Sequence, residues 1–441
     1  MYILGLNCFG HDASSALIKD GVILAMAEEE RFNREKHTYA FAKNAIAYCL
    51  KKGGIRLSDL DKIVFYYNPG LGFIKRMPYA LIHLPGSLAM FKGKRVSQGA
   101  GLLTMKSHFK KEFPGEKRYP DIIFITHHLA HAAAAFFNSP FKESAILSID
   151  GTGEWTTTWL GYGSGNKVHK VKEICWPHSL GMWYGAITEY LGFKFMSGEG
   201  KVMGLASYGK PTYYDKLKKT IKLLPDGGFK IDTSYFDYHI KWLGGNYVSD
   251  KFIREFGPKR ERESKIDPVH EDISFCLQLI FEEALIHIVR SLKEKTGMEN
   301  LVIGGGVGLN CVGNGKLLKQ HIFKDIFVHP APGEASTSMG SALYYYHQVL
   351  NNPRDKIIPI TTPFLGPEFD NDYIKVAIAK LNLKSHLSSD IGSEVAKLIS
   401  EHKIVGWFQG SMECGPRALG NRSILADPRL AEMKDILNNK V

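Results

Sequence analysis

The chain has 441 residues, which is enough for two or three domains with their own hydrophobic cores. Apolar residues make up 44% of it and charged residues 23%, as in ordinary globular proteins, and no run of about 20 apolar residues predicts a transmembrane helix. The formal net charge of +11 leaves open a nucleic-acid partner, an anionic small substrate or a merely basic surface.

The N-terminus begins as a strand, and we expect a cytoplasmic protein. No basic segment precedes the strand pattern in MYILGLN, so the sequence predicts no signal peptide. The six cysteines are scattered singly, without a C-x-x-C pair or a disulfide-like spacing, which suits a reducing compartment.

Residues 2–31 predict a β-hairpin unit with a polar turn after its first strand. Apolar residues alternate on both sides of this turn, which contains His11 and Asp12. Lys-Asp-Gly at 19–21 predicts a tight turn into a third strand. An amphipathic helix follows at 41–54 and ends at a glycine pair.

Much of the positive charge lies in two stretches, residues 92–111 and 251–265. The second alternates in sign, which is typical of a solvated surface. Neither has the interleaved aromatic residues of a stacking platform for nucleic acid. We therefore expect no nucleic-acid partner, and we expect the irregular segments 70–120 and 212–265 to bind the substrate.

Three histidines occur at the start of an alanine-rich run, ITHHLAHAAAAFF at 125–137, which predicts a buried helix. On that helix His127 and His131 lie four residues apart on one face, and His128 points elsewhere. Two imidazoles in this spacing are a frequent pair of metal ligands. The alternative is a pair of helix-terminal histidines that make ordinary hydrogen bonds.

Residues 143–171 repeat the plan of the first hairpin. A strand runs into Asp-Gly-Thr-Gly at 150–153, and a Thr- and Trp-rich strand and a glycine-rich turn follow. The two hairpins resemble the plan of actin, Hsp70 and the sugar kinases. This resemblance implies a duplicated α/β fold whose halves close on a nucleotide, with Gly151 and Gly153 beside its phosphates.

The same resemblance places Asp150 at the central cleft, near the two histidines. One carboxylate with two imidazoles suits iron, zinc or manganese. We expect a fourth, oxygen ligand from the other half of the fold, and Glu334 offers one in a Pro-Gly turn before a predicted helix.

A long helix at 271–297 has acidic residues early, basic residues late and a terminal glycine. It leads into ENLVIGGGVGLNCVGNGKL at 299–317, a buried strand followed by a glycine-rich turn and a helix. Glycines in such a turn let backbone N–H groups approach a phosphate or a nucleotide. The alternative is a tight strand–helix turn without a ligand.

We predict three parts: a first domain over residues 1–350, a proline-rich linker over 351–366, and a second domain that begins at 367. One helix at 391–402 and a strand at 403–410 are expected in the second domain. The chain ends too soon after them to close a second core, so we expect residues 367–441 to be the N-terminal part of a truncated domain.

Eight stretches between residues 4 and 429 resemble the O-carbamoyltransferases of the nodulation and antibiotic-tailoring type. They are GLNCFGHDASSAL, AEEERFNREKH, HHLAHAAAAF, SIDGTGEW, SLGMWYGAITEYLGF, GEGKVMGLASYGKP, GGGVGLNC and GWFQGSMECGPRALGNRSILADPR. In this family an actin-like domain, similar to that of the tRNA threonylcarbamoyl transferase, is joined to a YrdC-like domain.

The resemblance implies a two-site reaction. The YrdC-like domain hydrolyses carbamoyl phosphate to carbamate and activates the carbamate with ATP as carbamoyl adenylate. Besides the transition metal, magnesium is a further candidate ion. The actin-like domain then transfers the carbamoyl group to a hydroxyl of a sugar or another metabolite. The acceptor is not identified by the sequence, and a homodimer is expected.

The family's iron site corresponds to His127, His131 and Asp150, with Glu334 at the turn where the family usually has aspartate. The adenylate contacts correspond to Lys36, Gly306 and Asn310, and the phosphate contacts of the second domain to Arg417, Asn421 and Arg422, whose guanidinium groups suit phosphate oxygens. The iron would act as a Lewis acid rather than as a redox centre. The alternative for Lys36 is a plain surface lysine.

A sugar hydroxyl is a poor nucleophile unless a base takes its proton. His11, with an ordinary pKa and oriented by Asp12, suits that role. The alternative is a turn histidine that only caps the backbone.

Three other functions compete with carbamoyl transfer to a small molecule. They are a tRNA threonylcarbamoyl-type transferase, a metabolite kinase of the same fold, and a non-catalytic nucleotide-binding assembly protein. The fused GPRALGNRS segment favours small-molecule transfer over tRNA modification. A kinase would leave the histidine pair unexplained, and the retained His11 and Arg417 disfavour a non-catalytic protein.

Overall fold

The computed structural model describes residues 1–91, 101, 104–241, 245–354, 357, 359–360 and 362–440. Part of the basic stretch 92–111 and four residues around the predicted linker (355, 356, 358 and 361) therefore lie outside the described residues. None of the helices in the described ranges is long and apolar enough to cross a lipid bilayer.

Two five-stranded mixed sheets with the same strand order organise the structure. The first has the order β3-β2-β1-β4-β5, with β1 (Tyr2–Asn7), β2 (Ser14–Lys19), β3 (Val22–Glu28), β4 (Lys62–Phe65) and β5 (Ile122–Phe124). Strands β1 to β3 are antiparallel, and β4 and β5 continue from β1 in parallel.

The second sheet has the order β12-β11-β6-β7-β8, with β6 (Glu143–Ile149), β7 (Thr156–Ser164), β8 (Lys167–Cys175), β11 (Asn300–Gly304) and β12 (Asp325–Val328). Its first three strands are antiparallel and its last two are parallel to β6, as in the first sheet. This repetition confirms the duplicated α/β fold that the two hairpins predict.

Fifteen α-helices lie in the described residues. They are α1 (Glu30–Asn33), α2 (Lys43–Gly53), α3 (Pro69–Ile82), α4 (Met105–Glu112), α5 (His127–Phe137), α6 (Leu180–Tyr190), α7 (Glu199–Leu205), α8 (Tyr214–Lys218), α9 (Asp250–Phe256), α10 (Pro268–Thr296), α11 (Cys311–Lys319), α12 (Ser336–Tyr344), α13 (Asn371–Lys380), α14 (Ile391–Ser400) and α15 (Met433–Lys440). Two short strands, β9 (Ile221–Leu223) and β10 (Phe229–Ile231), pair between α8 and α9.

Helices α5 and α12 cross between the halves. Helix α5 follows the first sheet but packs against β6 and β11 of the second, whereas α12 follows the second sheet and packs against β1 and β2 of the first. The two helices also pack against each other. Both begin near the carboxyl ends of β1 and β6, so the residues before and within their first turns meet in one cleft.

The close contact between α12 and α5 depends on a glycine. A Cβ atom at Gly340 would lie 1.8 Å from the carbonyl oxygen of Ala130. We expect Gly340→Ala to lower the free energy of unfolding by about 3 kcal/mol or more, because neither backbone can give way without disturbing a buried helix. Urea denaturation measures the loss.

Gly315→Ala is the matched control, since Gly315 also lies in a helix and an added Cβ would meet nothing within 4 Å. It should leave the stability unchanged or raise it by about 1 kcal/mol or less. Equal stability of both variants would contradict the close packing of α12 on α5.

The C-terminal part, which begins at residue 367, contains more helix than the sequence predicts. The predicted helix and strand are observed as α14 and β13 (Val405–Phe408), which pairs with β14 (Arg422–Leu425), but α13 and α15 were not expected. Helix α13 buries none of its residues, and its apolar side chains Tyr373, Ile374 and Val376 are exposed. The division of the chain into domains stays a prediction.

Candidate active site

The two histidines of α5 lie where their spacing predicts. His127 and His131 are 2% and 0% exposed, and their ring centroids are 4.6 Å apart. The Nε2 atom of His131 lies 3.0 Å from Asp150 Oδ2, and that of His127 lies 3.8 Å from the same oxygen. The next residue, His128, turns away to bond Ser148 Oγ at 2.8 Å.

Two carboxylates complete this cluster. Asp150 follows β6, and its oxygens accept hydrogen bonds from the N–H groups of Gly151 at 2.6 Å and Gly306 at 3.0 Å. Glu334 lies before α12, with Oε1 3.6 Å from His127 Nε2. The four side chains that the sequence singles out as ligands thus each offer an atom within 4.8 Å of the others, and all four are buried.

The donor atoms of this cluster suit a cation. Burial lowers the pKa of His127 to about 4, so its imidazole is neutral and carries a lone pair. Burial raises the pKa of Asp150, but the two imidazoles outweigh it and hold that pKa well below its usual range. Burial and Asp150 raise the pKa of Glu334 well above its usual range.

Several buried atoms of the cluster have no hydrogen-bond partner among the described residues. They are His127 Nε2, both ring nitrogens of His131 and Glu334 Oε2. Leaving buried polar atoms unpaired costs about 1–3 kcal/mol each. A divalent transition metal would bind one nitrogen of each imidazole and a carboxylate oxygen of Glu334, because neutral imidazoles and carboxylates are its usual ligands.

His11 faces the cluster from the turn between β1 and β2. Its Nδ1 lies 2.9 Å from Asp12 Oδ2, and its Nε2 lies 3.6 Å from Glu334 Oε1. Burial lowers the pKa of His11, but the hydrogen bond and the charges of Asp12, Glu334 and Asp150 outweigh it and raise the pKa to about 10. The expectation of an ordinary pKa is therefore wrong, because Asp12 raises the pKa of His11 most, and Glu334 and Asp150 from the second half of the fold raise it further.

Two residues that sequence reasoning missed hold this turn in place. The side-chain amide of Asn7 donates to the carbonyl oxygens of His11, Asp12 and Glu334, at 3.3, 3.0 and 3.1 Å. His37 Nδ1 lies 2.7 Å from Asp12 Oδ1, on the side of the carboxylate opposite His11. The sequence signal that could have identified His37 is its place at the end of AEEERFNREKH, one of the stretches that carry the family resemblance.

Glu154 was also missed, although it follows the DGTG motif directly. It accepts hydrogen bonds from the N–H groups of Asn68 at 2.7 Å and His127 at 3.1 Å, at the start of α5. Burial raises the pKa of Glu154 to about 7. The carboxylate thus sets where α5 begins, and with it the position of the first imidazole.

We expect Glu154→Ala to weaken metal binding by about 10- to 100-fold, as is usual when a group that orients a ligand is removed. Glu154→Gln keeps an acceptor oxygen and should lose less. Titration of the metal-free protein with Fe²⁺ or Zn²⁺, followed by calorimetry, measures both. Affinities equal to wild type in both variants would show that Glu154 does not orient His127.

A cavity of about 960 Å³ opens in front of the cluster. Asp150, Glu334, His11 and Asp12 line one end. The other predicted site residues that line it are Lys36, Gly151, Gly306, Asn310, Arg417 and Arg422. Residues from both the first 350 positions and the C-terminal part therefore share one cavity.

Three predicted ligand contacts are occupied within the protein. Gly153 lies behind the cavity, where an added Cβ would be 3.0 Å from His127. The amide of Asn310 pairs with that of Gln278 and caps α11. The amide of Asn421 donates to Ser411 O at 2.8 Å. The roles of all three as ligand contacts stay predictions, and Asn310 also lines the cavity.

Two family models match the chain. One, described as the carbamoyltransferase N-terminus, matches residues 2–343, and the other, described as the carbamoyltransferase C-terminus, matches residues 396–441. The Synechocystis sp. protein sll1178 is 41% identical over 453 residues, which cover 100% of this chain and 73% of that protein. The nodulation protein NolNO of Sinorhizobium fredii is 36% identical over 440 residues, which cover 98% of this chain and 60% of that protein.

Among solved structures, component A of (R)-2-hydroxyglutaryl-CoA dehydratase from Acidaminococcus fermentans is similar at a TM-score of 0.42 and 11% identity, over 79% of this chain and 99% of that one. Because that similarity is weak, the fold assignment stands on the strand order of the two sheets.

Proposed function

The chain belongs to the carbamoyltransferase family, and we propose that it transfers a carbamoyl group from carbamoyl adenylate to a hydroxyl group of a sugar or another small metabolite. The adenylate would form from carbamoyl phosphate and ATP, by way of carbamate. The observation that carries this proposal is the buried cluster of two imidazoles and two carboxylates, which opens onto the cavity lined by Arg417 and Arg422.

His127, His131, Asp150 and Glu334 would hold a divalent transition metal, and the resemblance to the O-carbamoyltransferases favours iron. Their unpartnered buried atoms support this assignment. Glutamate in place of the family's usual aspartate still brings Oε1 to 3.6 Å from His127 Nε2, so the longer side chain reaches the cluster. The metal would supply Lewis acidity toward the carbamoyl oxygen or a phosphate oxygen.

His11 would accept the proton of the acceptor hydroxyl at Nε2, the ring nitrogen that faces the cluster. Asp12 would hold Nδ1 and so fix the orientation of the ring. The hydroxyl oxygen forms the new bond to the carbamoyl carbon, and AMP leaves with the electron pair of the broken carbon–oxygen bond. A cation held by Asp150 and Glu334 offsets negative charge that raises the pKa of His11, which favours its role as a base.

Basic residues on both sides of the cavity would bind the phosphates. Lys36 lies on the wall formed by the first sheet and its helices, and Arg417 and Arg422 lie on the wall formed by the C-terminal part. Guanidinium groups bind phosphate oxygens in pairs, which suits ATP and carbamoyl phosphate. Gly151 and Gly306 also line the cavity.

The test combines two substrates with a panel of acceptors. The protein is incubated with labelled carbamoyl phosphate and ATP, and separately with carbamoyl adenylate, in the presence of sugars and other hydroxyl compounds. The expected products are AMP and a labelled carbamoyl ester. Release of ADP with a phosphorylated acceptor, or transfer to tRNA alone, would overturn the proposal.

A further inference from the structure

Gly415, in the GPRALGNR segment, is bound by Glu28 at the end of β3 and by Arg31 in α1. Its N–H donates to Glu28 Oε1 at 2.5 Å, and its carbonyl oxygen accepts from Arg31 Nη2 at 2.9 Å. Glu28 is 4% exposed, so this contact is made inside the protein. The two side chains are joined to each other, with 3.4 Å between Arg31 Nε and Glu28 Oε2.

The backbone conformation and the close neighbours of Gly415 leave room only for glycine at this position. Its φ of +93° lies in the left-handed region, and an added Cβ would lie 2.8 Å from the carbonyl oxygen of Pro330 and 2.9 Å from Ala331 Cα. The preceding Cys414 is 1% exposed and packs in the hydrophobic core of the first sheet. Arg417, two residues later, lines the cavity and reaches Leu309 O at 3.4 Å.

A continuous chain of polar contacts runs from Gly415 to the turn that carries His11. Arg31 Nη1 lies 2.9 Å from Glu30 Oε1, and Glu30 Oε2 accepts from the backbone N–H of His37 at 2.8 Å. The ring of His37 then lies 2.7 Å from Asp12, whose other oxygen lies 2.9 Å from His11. The segment that carries Arg417 is thus connected to His11 through four side chains.

We infer that Arg31 is a positioning residue that couples the seating of residues 411–422 to the orientation of His11. The role given to His11 rests on the proposed function, but the coupling itself is a property of the fold. Its consequence is that loosening the segment with Arg417 and Arg422 loosens the orientation of His11, which Asn7 and His37 also support.

The first test uses hydrogen–deuterium exchange of the whole chain, read by mass spectrometry. Arg31→Lys keeps a positive charge but cannot bridge Glu28, Glu30 and Gly415 at once. We expect amide exchange to rise about fivefold or more at residues 411–422 and also at residues 9–13 and 35–39. Gly415→Ala, which disturbs the other end of the contact chain, should give the same pattern.

Gly392→Ala is the control, because Gly392 lies in the same C-terminal part and its nearest contact to an added Cβ is 3.6 Å away. It should leave exchange at all three segments unchanged. Faster exchange at 411–422 alone, in both Arg31→Lys and Gly415→Ala, would overturn the coupling, since the segment would then merely pack on the first sheet. If Gly415→Ala does not fold, Arg31→Lys decides the result.

The second test supplies carbamoyl adenylate and measures transfer. Arg31→Lys should lower kcat about tenfold or more with KM within about twofold of wild type, because misplacing a catalytic group by 1 Å costs about 10²-fold. A rise in KM with kcat unchanged would make Arg31 a substrate contact and overturn the inference. A wild-type protein that transfers nothing would overturn the proposed function, and the exchange experiment would still decide the coupling.

Discussion

Replacing His127 and His131 together by alanine should abolish the binding of a transition metal by this protein. Both imidazoles are buried and offer a nitrogen within 4.8 Å of atoms of Asp150 and Glu334, and burial lowers the pKa of His127, so that ring is neutral. Loss of a single residue that merely orients a ligand costs 10- to 100-fold in affinity. Loss of two ligands should exceed about 100-fold, and elemental analysis of purified protein should fall from about one metal per chain to none.

Two variants separate metal loss from misfolding. Asp150→Asn is nearly isosteric and should keep the fold while weakening metal binding, because a neutral amide replaces the charged ligand. His128→Asn on the same helix can still bond Ser148 and should keep the metal. Full metal occupancy in the double alanine variant, or loss of metal in His128→Asn with the fold intact, would contradict the assignment of the cluster.

The parts of the fold that the sequence predicts correctly are those that depend on local pattern. Alternating apolar residues and turn residues define both hairpins, and helix α5 begins at His127 as its alanine-rich run predicts. Helix α10 ends before Gly297, which is in the left-handed conformation, as predicted, but it begins at Pro268 rather than at the predicted residue 271. These signals lie within a few residues of the structure that they determine.

The residues that were missed act over long distances in the sequence. Asn7 bonds Glu334, 327 positions away, and Arg31 bonds Gly415, 384 positions away. An asparagine at the end of a strand or an arginine in a charged stretch has no local feature that distinguishes it from a surface residue. These partners meet because α12, which follows Glu334, packs on β1 and β2, and because the chain before Gly415 packs in the core of the first sheet.

The raised pKa of His11 comes first from the hydrogen bond and charge of Asp12, and only in part from residues that are distant in the sequence. The sequence shows one neighbouring carboxylate, Asp12, and so suggests an ordinary value for an oriented imidazole. The fold adds Glu334 and Asp150 from the second half, and their charge helps raise the pKa to about 10. The protonation state of His11 therefore depends on whether Asp150 and Glu334 hold a cation.

His11→Ala should lower the rate of carbamoyl transfer by about 10²- to 10⁴-fold, the usual contribution of a general base. The loss should fall on kcat, because Lys36, Arg417 and Arg422, which would bind the adenylate, are unchanged. Metal content should stay at the wild-type level, since His11 lies 3.6 Å from Glu334 and is not one of the four ligands. Transfer from supplied carbamoyl adenylate measures the effect without the activation step.

His37→Ala distinguishes the base from the groups that orient it. It leaves His11 and Asp12 in place but removes one of the two imidazoles that share the Asp12 carboxylate. Its rate should therefore lie between those of the wild type and His11→Ala, because the proton acceptor remains while its support is weakened. A His11→Ala protein that binds metal and transfers at the wild-type rate would return His11 to the role of a turn residue, and the proton of the acceptor hydroxyl would then have to leave by way of water.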